Sequence, residues 1–490
     1  MPESKPIKRI AAFVGFVLLG FVVVYSPQAA ILTAGLILAA VAFTRPAVLK
    51  LAIVGVVLVP TIGFLRSSEA VTNALQLAQS IESGSMVNRL AGTTLLAVGV
   101  ALLFWGRHRI GRINLIPWVG GFIAFAFLSF VWSQGPAQTL RRAAEALFVA
   151  VFALGVGAVY YDRKPEASTE LIRTMCWASS LLSFAVLVLS VARGDFHIAN
   201  PAWRLGRIGI ENQIAWCASV GFLGAWTTRT RKDIWTSKTF LWFNLAIPGL
   251  TVLLTKSRET WLGVLAAVFF LEILKPRAFK KKLYGAMAVI SAVVLFTQVP
   301  ALKQMWNRGE TEEDMETASG RTQIWQQAIP MIQSHLFLGH GYGAFWIGTT
   351  VLTFSSDWSP TSLHNGYLDS TAEAGLVGLF LIGIGVWVSS MNAWKLMKYP
   401  GQAEVALVLL SLTVNFMVIN LFGAVLEVFN YFPVTALLVY SFFVSHRLET
   451  LARIAEQNRL KIEARTTGLA DPSEELAWAA SSRLQREPFP

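Results

Sequence analysis

The sequence predicts an all-α polytopic membrane protein of about 12–14 transmembrane helices, and three observations carry that expectation. First, 54% of the 490 residues are hydrophobic and 14% are charged, with a mean hydropathy of +0.54. A soluble domain carries about a quarter charged residues, so a cytosolic or secreted globular enzyme is excluded. Second, apolar runs of roughly 18 residues, enough to cross a bilayer as a helix, recur along the chain. Third, with the N-terminus set in the cytoplasm, 29 of the 41 basic residues fall on the inner side and 12 on the outer. This positive-inside asymmetry places both termini in the cytoplasm. It also reads the net charge of +12 as topology, reinforced by anionic lipid, so nucleic-acid binding is unnecessary.

In chain order the spans are expected at roughly 10–26, 28–44, 47–65, 89–106, 114–133, 141–161, 172–192, 209–227, 239–255, 260–274, 283–299, 365–391, 403–426 and 430–446. The first lacks a small-residue cleavage site after it and reads as a retained helix. Residues 66–88 read as an external helix lying on the membrane. Pro248 and Pro433 are tolerable because neighbouring helices satisfy the freed backbone groups. Four regions follow: N-terminal membrane helices at 1–299, a large outside loop at 300–364, C-terminal membrane helices at 365–446, and a cytoplasmic tail at 447–490. The tail opens with the charged helix ETLARIAEQNRLKIEAR. Cys176 and Cys217 lie in apolar runs, which excludes a disulfide framework and a cysteine-ligated zinc site.

The chemistry is expected on the outer face. The 300–364 loop is long, and long loops in compact proteins are usually functional. It begins with the acidic cluster Glu310, Glu312, Glu313, Asp314 and Glu316. It continues as the amphipathic stretch GRTQIWQQAIPMIQSHLFLGHGYGAF, which ends in a turn rich in glycine at Gly339, Gly341 and Gly343. No Walker motif occurs, so no nucleotide is expected as substrate. No ligand spacing for a metal is found, and no cofactor is expected.

Outer basic residues are few and therefore informative: Arg193, Arg204 and Arg207 in one short loop, Lys256 and Arg258 in TKSRET, and Arg321 opening the amphipathic stretch. Arginine's planar fork suits phosphate oxygens. Pairing with Asp195, Glu211 or Glu259, or with lipid headgroups, is the plainer alternative. Of the outer histidines, His197, His335 and His340 read as structural, as a lone histidine usually is. His364, in SLHNGYLDSTAEAGLVG, stands where the loop re-enters the membrane beside Asn365. Asp369 and Glu373 follow one and two turns later on the same face, either orienting the imidazole or completing the helix start. A neutral imidazole can accept a proton from a sugar hydroxyl.

Ser257-Arg258, Arg321 with Trp325, Gly339-His340-Gly341, and His364-Asn365 followed by Gly375 and Gly378 together resemble the O-antigen ligase and polymerase superfamily, over roughly residues 200–380. The resemblance implies a glycosyltransferase type C-like enzyme of the Gram-negative inner membrane with a large periplasmic loop and a periplasmic active site. It implies transfer of a glycan from undecaprenyl pyrophosphate to the outer-core sugar of lipid A–core, without metal or nucleotide sugar. His364, Arg258 and Arg321 take the catalytic positions by this resemblance. Arg204, Arg207 with Gly209, Asn212, Asn365 and His340 are the substrate-binding candidates. An O-antigen polymerase or protein oligosaccharyltransferase of the same superfamily is the nearest alternative. A lipid-linked oligosaccharide flippase is the alternative from another class, disfavoured because polar residues gather at one face and not at mid-membrane.

Overall fold

The computed structural model describes residues 86–106, 113–160, 166–192, 194, 196–197, 200, 203–206, 211–235, 237–274, 321–347, 362–426 and 432–466. The expected spans at 10–26, 28–44, 47–65 and 283–299, the acidic cluster at 310–316, Arg193, Arg207 and Gly209 lie outside the described residues. Those described form helices α1 (Met86–Gly106), α2 (Ile116–Leu128), α3 (Pro136–Tyr160), α4 (Glu166–Ala192), α5 (Glu211–Thr227) and α6 (Lys238–Leu254). They continue with α7 (Arg258–Leu274), α8 (Arg321–Ser334), α9 (Gly366–Leu396), α10 (Ala403–Ile419) and α11 (Phe432–Thr466). No strand occurs among them. Pro136–Tyr160, Ala167–Ala192 and Gly366–Leu396 are each long and apolar enough to cross a membrane. The chain is an all-α polytopic membrane protein, since a helix satisfies its own backbone in lipid.

Three elements differ from expectation. The span expected to 426 stops at Ile419, because Asn420 takes over the local hydrogen bonding. Its Oδ1 accepts the N–H groups of Val425 and Leu426, both at 3.1 Å. The charged tail helix does not start afresh but continues the last span as α11, exposed from residue 452 to 463. Finally, α9 is broken at Gly375, whose φ of 63° and ψ of −173° are not helical.

That break is filled by chain. Leu376 and Val377 donate their N–H groups to the carbonyls of Leu336 and Phe337, at 2.9 and 3.2 Å. His340 and Gly341 donate to Ala372 and Glu373, at 2.9 and 3.0 Å. Main-chain groups freed in a membrane helix must find partners, and here the loop after α8 supplies them. A Cβ on Gly375 would lie 2.2 Å from the Phe337 oxygen, so no side chain fits at this crossing.

Elsewhere close approach of backbones does the packing, as expected where lipid gives helices no hydrophobic reason to associate. α1 lies along α3, where a Cβ on Gly155 would meet the Gly99 oxygen at 2.8 Å. α7 lies along α10, where Gly263 faces the Asn415 backbone. Buried hydrogen bonds link helices as well, Ser180 to Asn244, Asn415 to Ser219 and Asn392 to Ser445, while Asn392 also donates to Asn114 just before α2.

Candidate active site

One end of the bundle gathers the connections α2–α3, α4–α5, α6–α7 and α8–α9. The contacts that chain them are Gln134 to His340, Leu205 to Leu254, Arg321 to Glu259, and Gly366 to Asn420 and Gly423. Three helices start here with a residue singled out by sequence: Arg258 opens α7, Arg321 opens α8, and His364 precedes α9. Helix starts expose unpaired N–H groups and a partial positive charge, a setting suited to anions.

His364 is held by its neighbours on both sides. Asn365 caps α9, its Oδ1 accepting from the N–H groups of Tyr367 and Leu368 at 3.1 Å, while its Nδ2 donates to the Leu421 carbonyl at 3.1 Å. Gly366 donates to the carbonyls of Asn420 (2.9 Å) and Gly423 (2.7 Å). On the other side Leu363, fully buried among Ile324, Ala328, Phe345 and Ala372, donates its N–H to Asp369 Oδ1 at 2.7 Å. Trp325 Nε1 donates to the Leu363 carbonyl at 2.8 Å. Between these anchors His364 has a φ of +52°, a left-handed conformation that costs a residue with a side chain on the order of 1–3 kcal/mol. Lys256, two residues before Arg258, is the other such residue among those described, at +50°. Both strained positions belong to this end.

Electrostatics favours a neutral imidazole. Burial, then the charge of Arg321, holds the His364 pKa below the ordinary 6.5, with Glu259 acting in the opposite direction. Arg321 Nη2 stands 3.9 Å from Glu259 Oε2, and the two side chains are only 16% and 1% exposed. Arg258, the residue before Glu259, is half-buried. His364, Arg321 and the start of α7 are thus brought together across 106 positions of sequence.

The remaining candidates divide. Arg204 Nε donates to the Thr255 carbonyl at 2.8 Å and its Nη2 to Asn212 Oδ1, so these two form one unit at the ends of α5 and α6. His340 is buried, donates from Nε2 to the Met331 carbonyl at 3.1 Å and meets Gln134 through Nδ1. Both its nitrogens thus engage protein, and it fastens the loop that fills the α9 break. Asn365 serves as the α9 cap. Asp369 faces the Leu363 main chain, whereas Glu373 faces Gly343 and Arg142.

Sequence reasoning named Glu259 only as an ordinary partner for the arginines. The signal for more was its position in the first turn of α7 beside Arg258. Among the described residues no three His, Cys, Asp or Glu side chains gather as a metal site would require.

Fold and site together define a helical membrane protein whose arginine- and histidine-bearing site lies at the helix starts of one bundle end. Residues 243–383 match the family model described as O-antigen ligase, a stretch that includes Arg258, Arg321, His340, His364 and Asn365. This stretch of the chain is similar to that family. Two relatives extend the match: the exopolysaccharide production protein ExoQ of Rhizobium meliloti (strain 1021), 25% identical over 296 residues, and the O-antigen ligase of Pseudomonas aeruginosa (strain PAO1), 25% identical over 286. They cover 56% and 57% of this chain, which spans 65% of the length of each.

Proposed function

We propose that the protein transfers a glycan from a polyprenyl pyrophosphate carrier, undecaprenyl pyrophosphate in a Gram-negative inner membrane, to the outer-core sugar of lipid A–core. The observation that carries this reading is a neutral-leaning imidazole held in a strained backbone beside a partly buried guanidinium, at converging helix starts. In the reaction, His364 accepts the proton of the acceptor hydroxyl as its oxygen bonds the anomeric carbon. The bond from that carbon to the pyrophosphate oxygen breaks, and the electron pair leaves with the pyrophosphate. Attack from the opposite face inverts the centre. Arg258 and Arg321 stabilise the leaving charge, an effect worth about 10²–10³-fold per well-placed donor. The leaving group is already activated, so neither ATP nor a divalent cation has a required part.

On this reading the site end faces the periplasm, 300–364 is a periplasmic loop, and both termini are cytoplasmic. Arg204 and Asn212, joined by a hydrogen bond, extend the anion-binding surface; Arg207 is proposed with them from its sequence position alone. A second reading, polymerisation of carrier-linked repeats, draws on the relative named for exopolysaccharide production. Lipopolysaccharide electrophoresis after deletion separates them. Loss of the ladder with accumulated polymeric carrier-linked glycan is the expected result. Accumulated single-repeat carrier would select the polymerase, and an unchanged ladder would reject both.

A further inference from the structure

Glu259 is the feature of this site that the mechanism leaves unused. Its carboxylate is 1% exposed, on the first turn of α7 directly after Arg258. Oε2 stands 3.9 Å from Arg321 Nη2, and Oε1 has no hydrogen-bond partner among the described residues. A buried carboxylate is costly unless paired, and it opposes any anion brought beside it. Placed in a pyrophosphate site, it is unfavourable to the complex and favourable to the empty state, in which the buried carboxylate and the partly buried Arg321 balance each other.

We infer, resting on the reading above, that Glu259 is a positioning residue: its carboxylate is the resting counter-ion of Arg321, which pyrophosphate displaces and which hastens pyrophosphate release. The pair at 3.9 Å is long for a charge-assisted hydrogen bond, so a phosphate oxygen can replace the carboxylate as Arg321's closer partner. Glu259 then repels the bound product.

The test is binding of inorganic pyrophosphate to the full-length protein in nanodiscs, together with single- and multiple-turnover transfer. Glu259→Gln removes the like charge and should tighten pyrophosphate binding at least about tenfold. Multiple-turnover transfer should slow while the first turnover persists. Glu259→Asp, which keeps the charge but draws it back by one methylene, should bind with a smaller tightening, and it stands in should the Gln variant not fold. Adding Arg321→Ala to Glu259→Gln should abolish the gain, as a merely structural role would not. Unchanged or weaker pyrophosphate binding in both Glu259 variants overturns the inference while leaving the transferase reading intact. Full transfer by Arg321→Ala would instead remove the site reading on which it rests.

Discussion

At the end of the bundle away from His364, Arg231 grips Asp233 through two hydrogen bonds of 2.7 Å and Glu404 at 2.6 Å, whereas Arg321 at the site end stands 3.9 Å from Glu259. Arg229 at the far end likewise meets Glu272 at 3.0 Å and lies over the Trp226 ring at 4.2 Å. Arg173 donates there to the carbonyls of Ile234 and Asp233. These arginines join connections: close bidentate pairs neutralise charge and fix geometry. At the site end the carboxylate is set back, so the guanidinium's field reaches His364 and any incoming anion. The backbone follows the same division: among the described residues the two left-handed ones that carry side chains, His364 and Lys256, lie at the site end. An arginine's use is read from the distance and burial of its partner, not from its presence.

The sharpest way to break this comparison is to change arginines at both ends, starting with the site end. Arg258→Lys and Arg321→Lys keep the charge but lose the fork. Each should lower transfer by about 10²–10³-fold in a reconstituted assay with carrier-linked donor, with membrane insertion unaffected. Lys variants with full activity at both positions would make these generic basic residues. Next in size is the α9 break. Gly375→Ala places a Cβ 2.2 Å from a carbonyl oxygen at a φ of 63°, and strain of this kind costs on the order of 1–3 kcal/mol or more. Thermal unfolding in detergent should show the loss, together with looser docking of the 336–341 loop. Smallest is Arg231→Ala. Its side chain and its partners are partly exposed, at 31% for Arg231, 52% for Asp233 and 27% for Glu404, and such pairs contribute about 0–1 kcal/mol each. Stability should fall slightly and transfer per folded molecule should be unchanged. A transfer defect as large as that of Arg321→Lys would erase the distinction between the ends.

Much of the fold was legible because hydropathy in a membrane protein maps directly onto helices. The spans expected at 89–106, 209–227 and 260–274 match α1, α5 and α7 to within a few residues. The glycine-rich turn was legible too: Gly339, Gly341 and Gly343 all have positive φ. The break at Gly375 was hidden, since a glycine in an apolar run reads equally as a close helix crossing or a broken backbone. Its cause is a loop some 35 residues upstream, 336–341 against 375. Glu259 was obscured for the same reason: its partner Arg321 lies 62 positions later (321 − 259). The early stop of α10 depends on one asparagine turning its side chain back onto Val425 and Leu426. Local pattern carries elements; the site is made by long-range contacts.

The central claim is that His364, held neutral at this bundle end, is the base, and the pH dependence of transfer by purified wild-type and His364→Ala protein tests it most directly. A histidine whose folded pKa lies below 6.5 is mostly neutral above that pH and gains its proton as pH falls through the lowered value. Wild-type transfer should therefore be level near neutrality and decline on acidification with a midpoint below 6.5. Folding stability should weaken in the same direction, because the unfolded chain binds the proton first. His364→Ala should be slower by about 10²–10⁴-fold and lack the acidic decline. A His364→Ala protein that transfers at the wild-type rate, or that keeps the same acidic limb, would contradict the account.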